Sequence, residues 1–211
     1  MFDRIAPRYD LLNRALTFGL DTRWRTRAVG ALGLRAGSVV ADVASGTGDL
    51  CRDLSEAGLV PIGVDFSFGM LAAARTEAPL VQGDALGLPL ATASVDGATS
   101  GFALRNFDAL PPVFDELARV VRPGGRIALL DVAEPRNRFL RRGHGVYFGR
   151  VVPLVGGLVS DKAAYRYLPE SVVYLPESDE MCAMLGRAGF VDVQHQLLTG
   201  GISQLLTGTR G

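Results

Sequence analysis

One stretch limits what this chain can become more than any other. Val39-Val40-Ala41-Asp42-Val43 is an apolar, β-branched run that includes an acid. Ala44-Ser45-Gly46-Thr47-Gly48 is a small-residue turn, and Asp49-Leu50-Cys51-Arg52-Asp53-Leu54 carries apolar positions at helical spacing. A strand that turns through glycines into a helix commonly holds a nucleotide-like ligand. Glycine lets backbone and ligand approach, because no Cβ stands between them. The first turn of the helix offers unpaired N–H groups.

The chain then repeats that alternation. Gly58 ends the helix that starts near Asp49, and residues 59–65 read as a second strand with Pro61 near its start. Ser67 is placed to cap a helix over 68–76. Residues 79–82 form a short third strand, 94–100 a weak fourth by composition, and 126–132 a clear fifth. Asp108 is placed to cap a helix over 110–121, which Arg122-Pro123-Gly124-Gly125 stops. Strands separated by helical segments make βαβ units, hence a parallel sheet covered on both faces with right-handed crossovers. The end differs. A helix over 179–188 precedes strands at 190–194 and 202–208, joined by Thr199-Gly200-Gly201. That hairpin puts one antiparallel strand at the sheet edge. Ahead of the sheet, residues 3–32 read as helical, with a break at Gly19 and Asp21 placed to cap a second helix.

With 211 residues, 48% hydrophobic and 21% charged, the chain is sized for one domain with a real core. Its formal net charge of zero gives no global pull toward nucleic acid or membrane. No apolar run approaches the roughly 18 residues of a membrane span, and the N-terminus has no signal-peptide pattern. Cys51 and Cys182 match no metal or redox spacing, nor do His144 and His195, so no metal and a reduced cytoplasmic setting are expected. Arg136, Arg138, Arg141, Arg142 and Arg150, with no acid between them, form either a solvated face or a contact for anionic lipid head groups.

A dinucleotide turn needs a third glycine to pack helix against strand, and Cys51 stands in its place. The acids downstream point elsewhere. Asp65 ends the second strand roughly twenty residues on, where a carboxylate accepts from both ribose hydroxyls. Asp84 follows the third strand, placed to reach an adenine amino group, with the Ala85 N–H beside it. Each acid alone is also consistent with a helix or turn cap.

The pattern Asp42-x-x-x-Gly46-x-Gly48, Asp65, Gly83-Asp84-Ala85 and Arg122-Pro123-Gly124-Gly125 resembles the class I S-adenosylmethionine-dependent methyltransferases. Phe2-Asp3-x-Ile5-Ala6-x-x-Tyr9-Asp10-x-x-Asn13 with Trp24-Arg25 narrows the resemblance to the quinone-biosynthesis C-methyltransferases of UbiE/COQ5 type. So do Phe102-Ala103-Leu104-Arg105-Asn106, Ala164-Tyr165-Arg166-Tyr167-Leu168-Pro169-x-Ser171 and Gly201-Ile202. The resemblance covers nearly the whole chain. It implies a Rossmann-like α/β fold with a mostly parallel seven-stranded sheet and one antiparallel edge strand. It also implies a single domain over 1–211, with a helical cap at 1–33 and a substrate- or membrane-facing insertion at 136–175. S-adenosyl-L-methionine is the implied cofactor, held by Thr47, Asp65, Asp84 and Ala85, with Gly46 and Gly48 admitting it. The family's serine before the Phe-x-Leu-Arg-Asn motif is Gly101 here, so the hydroxyl contact there is either lost or taken over by Ser100.

The implied acceptor is a prenylated quinol, either demethylmenaquinol or a ubiquinol precursor, and the compact start at Phe2-Asp3 favours the former. Its ring carbon becomes nucleophilic when a hydroxyl ionises, and a free phenol has a pKa of about 10. Arg105 is the expected stabiliser of the phenolate, with Asn106 orienting the ring or a water and Tyr9 closing over it. Arginine stays charged, so water takes the proton. The apolar segment 148–159 either lines a prenyl-tail channel, rests on the bilayer or packs in the core. Other readings stay open: another small-molecule methyltransferase, a dinucleotide oxidoreductase, or a cofactor-binding module without catalysis.

Overall fold

The computed structural model describes residue 14, residues 17–133 and residues 175–211. The expected cap before residue 14, including Tyr9, and nearly all of the expected 136–175 insertion lie outside the described residues.

Helix α1 (Leu20–Leu32) leads into β1 (Val39–Val43), α2 (Asp49–Glu56), β2 (Val60–Asp65), α3 (Phe68–Ala72) and β3 (Leu80–Gln82). Strand β4 (Val95–Gly101) follows, then a 3-10 turn (Leu104–Asn106), α4 (Leu110–Val120) and β5 (Val121–Val132). After the undescribed segment come α5 (Ser178–Arg187), β6 (Phe190–Leu198) and β7 (Ser203–Arg210). The sheet has seven strands in the order β3-β2-β1-β4-β5-β7-β6. The first five are parallel; β7 runs against β5, and β6 against β7. The hairpin therefore adds an antiparallel pair at that edge, with β7 one place inside it.

Both faces are covered, and the strands show it residue by residue. Along β5, Ile127 and Leu129 face the layer of α4 and α5 with Phe114, Leu117, Met181 and Leu185. Ala128 and Leu130 face the layer of α1 and α2 with Trp24, Leu32, Leu50 and Leu54. That two-residue alternation, apolar on both sides, is what a sheet buried on both faces requires. Pro61 is the second residue of β2 and pairs with Val40; β3 pairs only from Gly63 onward, so the missing N–H faces no β3 residue.

Local expectations fail in two instructive places. Asp21 does not cap α1. Gly19 precedes that helix without a side-chain cap, and Asp21, inside the first turn, is buried against Arg25. Asp108 does not cap α4 either, because the helix begins after Ala109 with prolines in its first turn. Ser67 does cap α3, accepting from the Met70 N–H at 3.1 Å, although the helix ends at Ala72 rather than Thr76.

Candidate functional site

The strand order reverses between β1 and β4, since β2 and β3 extend one way and β4 starts the other. Open α/β sheets bind ligands at the carboxyl ends of strands at such a switch point. A cavity of about 430 Å³ lies there, lined by residues 42–47, 64–67, 83–86, 101–103 and 106–108, together with Arg25, Asp49, Leu50 and Met70. That volume suits one small-molecule ligand.

The turn after β1 is shaped by conformations that few side chains accept. Ala44 takes φ 57° and Phe102, at the end of neighbouring β4, takes φ 60°; both line the cavity. Left-handed backbone at non-glycine residues is costly, and strain of this kind gathers at ligand sites. Gly46 has φ 56° with open space where a Cβ would stand, and it lines the cavity. Gly48 differs. It also has positive φ, but an added Cβ would meet Thr76 at 2.6 Å, and it is not on the cavity wall. Its smallness admits Thr76. Cys51, in the place of a third glycine, is fully buried, and the close approach of α2 to the sheet is supplied by Gly63, whose Cβ would meet the Cys51 Sγ at 3.2 Å.

Carboxylates dominate the charged part of the wall. Among the described residues Asp42, Asp49, Asp65, Asp84 and Asp108 line the cavity, against the single cation Arg25. Asp65 accepts the Gly46 N–H at 2.7 Å on one oxygen and the Ser67 N–H at 2.8 Å on the other, which ties the turn to the end of β2. Asp84 accepts the Leu86 N–H at 2.9 Å through Oδ1, the turn-capping contact its position allowed. Asp42 is buried on the α2 side of the sheet and accepts from Thr99 Oγ1 at 3.0 Å and from Cys51 Sγ at 3.3 Å. Burial pushes its pKa up to about 7, against the lowering effect of those two donors. The same carboxylate drives the Cys51 thiol pKa far up, after burial, so Cys51 is a donor here and no nucleophile.

Arg25 sits in a cluster of its own. Its Nε reaches Asp53 at 2.5 Å, and its Nη1 reaches Asp21 at 2.6 Å and Asp49 at 3.3 Å. Trp24 beside it donates to Thr199 Oγ1 at 2.8 Å and packs its ring 6.2 Å from that of Phe102. Helix α1 is thus clamped to the cofactor-type turn on one side and to the end of β4 on the other.

At the second end of the cavity, the 3-10 turn brings Asn106 to the wall, but the Arg105 side chain is not part of it. The Arg105 guanidinium is only 7% exposed and pairs through Nη1 with Asp131, which is fully buried at the end of β5. The Arg105 N–H donates to the same carboxylate at 3.1 Å. The expected wall position for Arg105 gives way because a buried, unpaired Asp131 is costlier than a guanidinium turned inward.

The model of the ubiE/COQ5 methyltransferase family matches residues 1–210. The chain belongs to the ubiE/COQ5 methyltransferase family. It is 43% identical to a ubiquinone/menaquinone biosynthesis C-methyltransferase UbiE of Syntrophotalea carbinolica, covering all of this chain and 92% of that one. It is also 43% identical to a demethylmenaquinone methyltransferase of Thermus thermophilus over the whole of both chains. Among solved structures, a SAM dependent methyltransferase from Aquifex aeolicus superposes with a TM-score of 0.64 at 17% identity, covering 89% of each chain. A Haemonchus contortus phosphoethanolamine N-methyltransferase 2, in complex with S-adenosyl-L-methionine, gives a TM-score of 0.62 at 15% identity, covering 87% of this chain and 52% of that one. These two likenesses extend the fold assignment.

For this family member the structure brings Gly46, Thr47, Asp65, Asp84, Ala85, Gly101 and Asn106 to one cavity and leaves Gly48 and Arg105 off its wall. The sequence reading missed Arg25, Asp49, Asp108 and Asp131. Arg25 carried a usable signal, standing four residues after Asp21 on one helix. Asp131 carried none, since an acid at the end of an apolar strand looks alike whether or not an arginine meets it.

Proposed function

We propose that the chain transfers the methyl group of S-adenosyl-L-methionine to a ring carbon of demethylmenaquinol. The observation that carries this reading is a single cavity shared by the acid-lined glycine turn and the Asn106 end of the 3-10 turn. The residues suit the cofactor. Carboxylates in excess favour a sulfonium and an ammonium. Asp65, an acceptor-only carboxylate held at the end of β2 by the Gly46 and Ser67 N–H groups, is placed for ribose hydroxyls. Met70, Phe66 and Leu86 give a flat base an apolar seat beside Asp84 and Ala85. Thr47, with Gly46 and Gly48, completes the turn that holds the methionine end; Gly101 closes the wall near Ser100.

When bound, the cofactor supplies an electrophilic methyl group, which leaves sulfur as a new carbon–carbon bond forms. Asn106 orients the acceptor ring and donates to the oxygen as its hydroxyl proton passes to water; once the methyl group is in place the ring carbon's proton returns through water to that oxygen, so one proton is released net. Arg105 and Asp131 are positioning residues in this scheme, fixing the 3-10 turn that presents Asn106. Tyr9 closes over the acceptor on the strength of the family resemblance. The cofactor end and acceptor end need only hold the two reactants aligned and dry. A prenylated acceptor dissolves in lipid, so the enzyme works at a membrane surface; no described helix is long and apolar enough to cross one.

A second acceptor, the ubiquinol precursor, is favoured by the name of the Syntrophotalea relative, which joins both quinones. The test is a methyl-transfer assay offering both demethylated quinols in detergent with product mass. Demethylmenaquinol should gain one methyl group. Methylation of the benzoquinol alone overturns the primary acceptor, and transfer to neither overturns the activity.

A further inference from the structure

The cavity wall holds carboxylates in excess, yet the proposed cofactor also carries a carboxylate of its own, on its amino-acid end. Arg25 is the one cation on the wall among the described residues. It is 4% exposed as a residue, and its guanidinium is spoken for on two of three nitrogens: Nε by Asp53, and Nη1 by Asp21 and Asp49. Among the described residues Nη2 takes no partner, in a side chain that borders the cavity. Asp21 is itself fixed, accepting from Thr17 Oγ1 at 2.7 Å, and Asp49 is bound a second time by Arg52. The fork is therefore locked before any ligand arrives, with a single donor nitrogen left to point at one.

Resting on the cofactor reading above, we infer that Arg25 is a cofactor-binding residue whose Nη2 receives the α-carboxylate of S-adenosyl-L-methionine. The neighbouring acids explain why an arginine is tolerated, and needed, there. Asp42 and Asp49 line the same cavity and attract the α-ammonium, which lies one carbon from the carboxylate. A wall of acids alone would bind the ammonium and repel the carboxylate. One guanidinium among them makes the wall complementary to a zwitterion. Lysine is a poor substitute, because only the planar fork serves three carboxylates and keeps a nitrogen directed at a fourth. Trp24, held by Thr199 and stacked near Phe102, keeps the helix that carries Arg25 in register with the turn.

The test compares two ligands by calorimetry: S-adenosyl-L-methionine and its decarboxylated analogue, which keeps the sulfonium, amine and adenosine but lacks the carboxylate. The unaltered protein should bind the full cofactor tighter by a factor on the order of 10 to 100, the worth of one charge-assisted hydrogen bond. Arg25→Gln should remove that preference, weakening the full cofactor by the same factor while the analogue's affinity stays within about threefold. Equal weakening of both ligands overturns the inference, since Arg25 would then only hold the acid cluster together. Should Arg25→Gln fail to unfold cooperatively, Arg25→Lys keeps a cation among Asp21, Asp49 and Asp53, and the same selective loss is expected of it. Binding of neither ligand by the unaltered protein overturns the cofactor reading itself, a result distinct from binding without preference, which overturns Arg25 alone.

Discussion

The two ends of the cavity each have a buried arginine, and they balance charge in opposite ways. At the cofactor end, Arg25 is shared by Asp21, Asp49 and Asp53, while Asp42 nearby has no cation against it among the described residues. At the acceptor end, Arg105 meets Asp131, with both side chains buried. A site with surplus carboxylates is built to take a positive ligand, and is incomplete without it. A matched pair brings its own counter-charge; its work is to hold backbone. Asp131 does this from several sides, accepting the Arg105 and Val132 N–H groups while its own carbonyl receives Ser203 Oγ at 2.8 Å. The acceptor end is therefore scaffolded across β5 and β7, and the cofactor end across β1, β2 and two helices.

The largest effect should come from breaking the balanced pair. Asp131→Ala takes the carboxylate away from a buried guanidinium, and breaking a buried pair from one side costs about 3–5 kcal/mol. Chemical denaturation should show that loss, whereas the double change Arg105→Met with Asp131→Leu should recover most of it. A loss under about 1 kcal/mol in the single variant would mean that water reaches Arg105, and the contrast between the two ends would collapse.

A smaller loss, in turnover rather than stability, is expected from Arg105→Lys. The lysine keeps the charge opposite Asp131 but not the planar fork. The 3-10 turn should loosen and Asn106 drift, and misplacement of an ångström or so costs on the order of 100-fold in rate. Cofactor affinity, set at the other end of the cavity, should not move. Full turnover in this variant would sink the positioning role, and a parallel loss of cofactor binding would show that the two ends are not separable.

How much of this was legible beforehand follows the same division. The cofactor end could be read because its chemistry lies in short, contiguous pieces. The strand, the glycine turn and the acids at the carboxyl ends of β2 and β3 are each local in sequence, and parallel strands bring their ends together without further information. The antiparallel pair was equally readable from Thr199-Gly200-Gly201, where all three residues take positive φ. What stayed hidden was pairing across the fold. Asp108 looked like a cap because acids before helices usually are, but the prolines in the first turn of α4 already lack the N–H groups a cap would satisfy. Arg105 looked like a site cation because nothing in its own segment revealed Asp131, 26 residues away. Gly48 looked like a cofactor glycine because its partner, Thr76, reads as the last residue of a helix, whereas α3 stops at Ala72 and the chain beyond it brings Thr76 against the glycine.

The mildest effect, a pH dependence, probes the surplus charge directly. The Asp42 carboxyl has its pKa raised from 3.8 to about 7, chiefly by burial. Between those values the folded protein holds a proton that the unfolded chain has released, so folding stability falls as pH rises through this window and levels off above it. This is the reverse of the usual carboxylate, which gains stability as it ionises. Cofactor binding should run the other way, because the ionised Asp42 attracts a cation and the neutral one does not. Affinity should rise by roughly tenfold per unit below pH 7 and flatten above it. Asp42→Asn should abolish both slopes, leaving stability higher above pH 7 and cofactor affinity low and flat. Isothermal titrations and denaturation curves at pH 5.5, 6.5 and 7.5, taken on both proteins, give the comparison (pH values about the midpoint of 7). If the two proteins keep the same slopes, Asp42 is not the group that titrates, and the surplus charge at the cofactor end is neutralised by some other means.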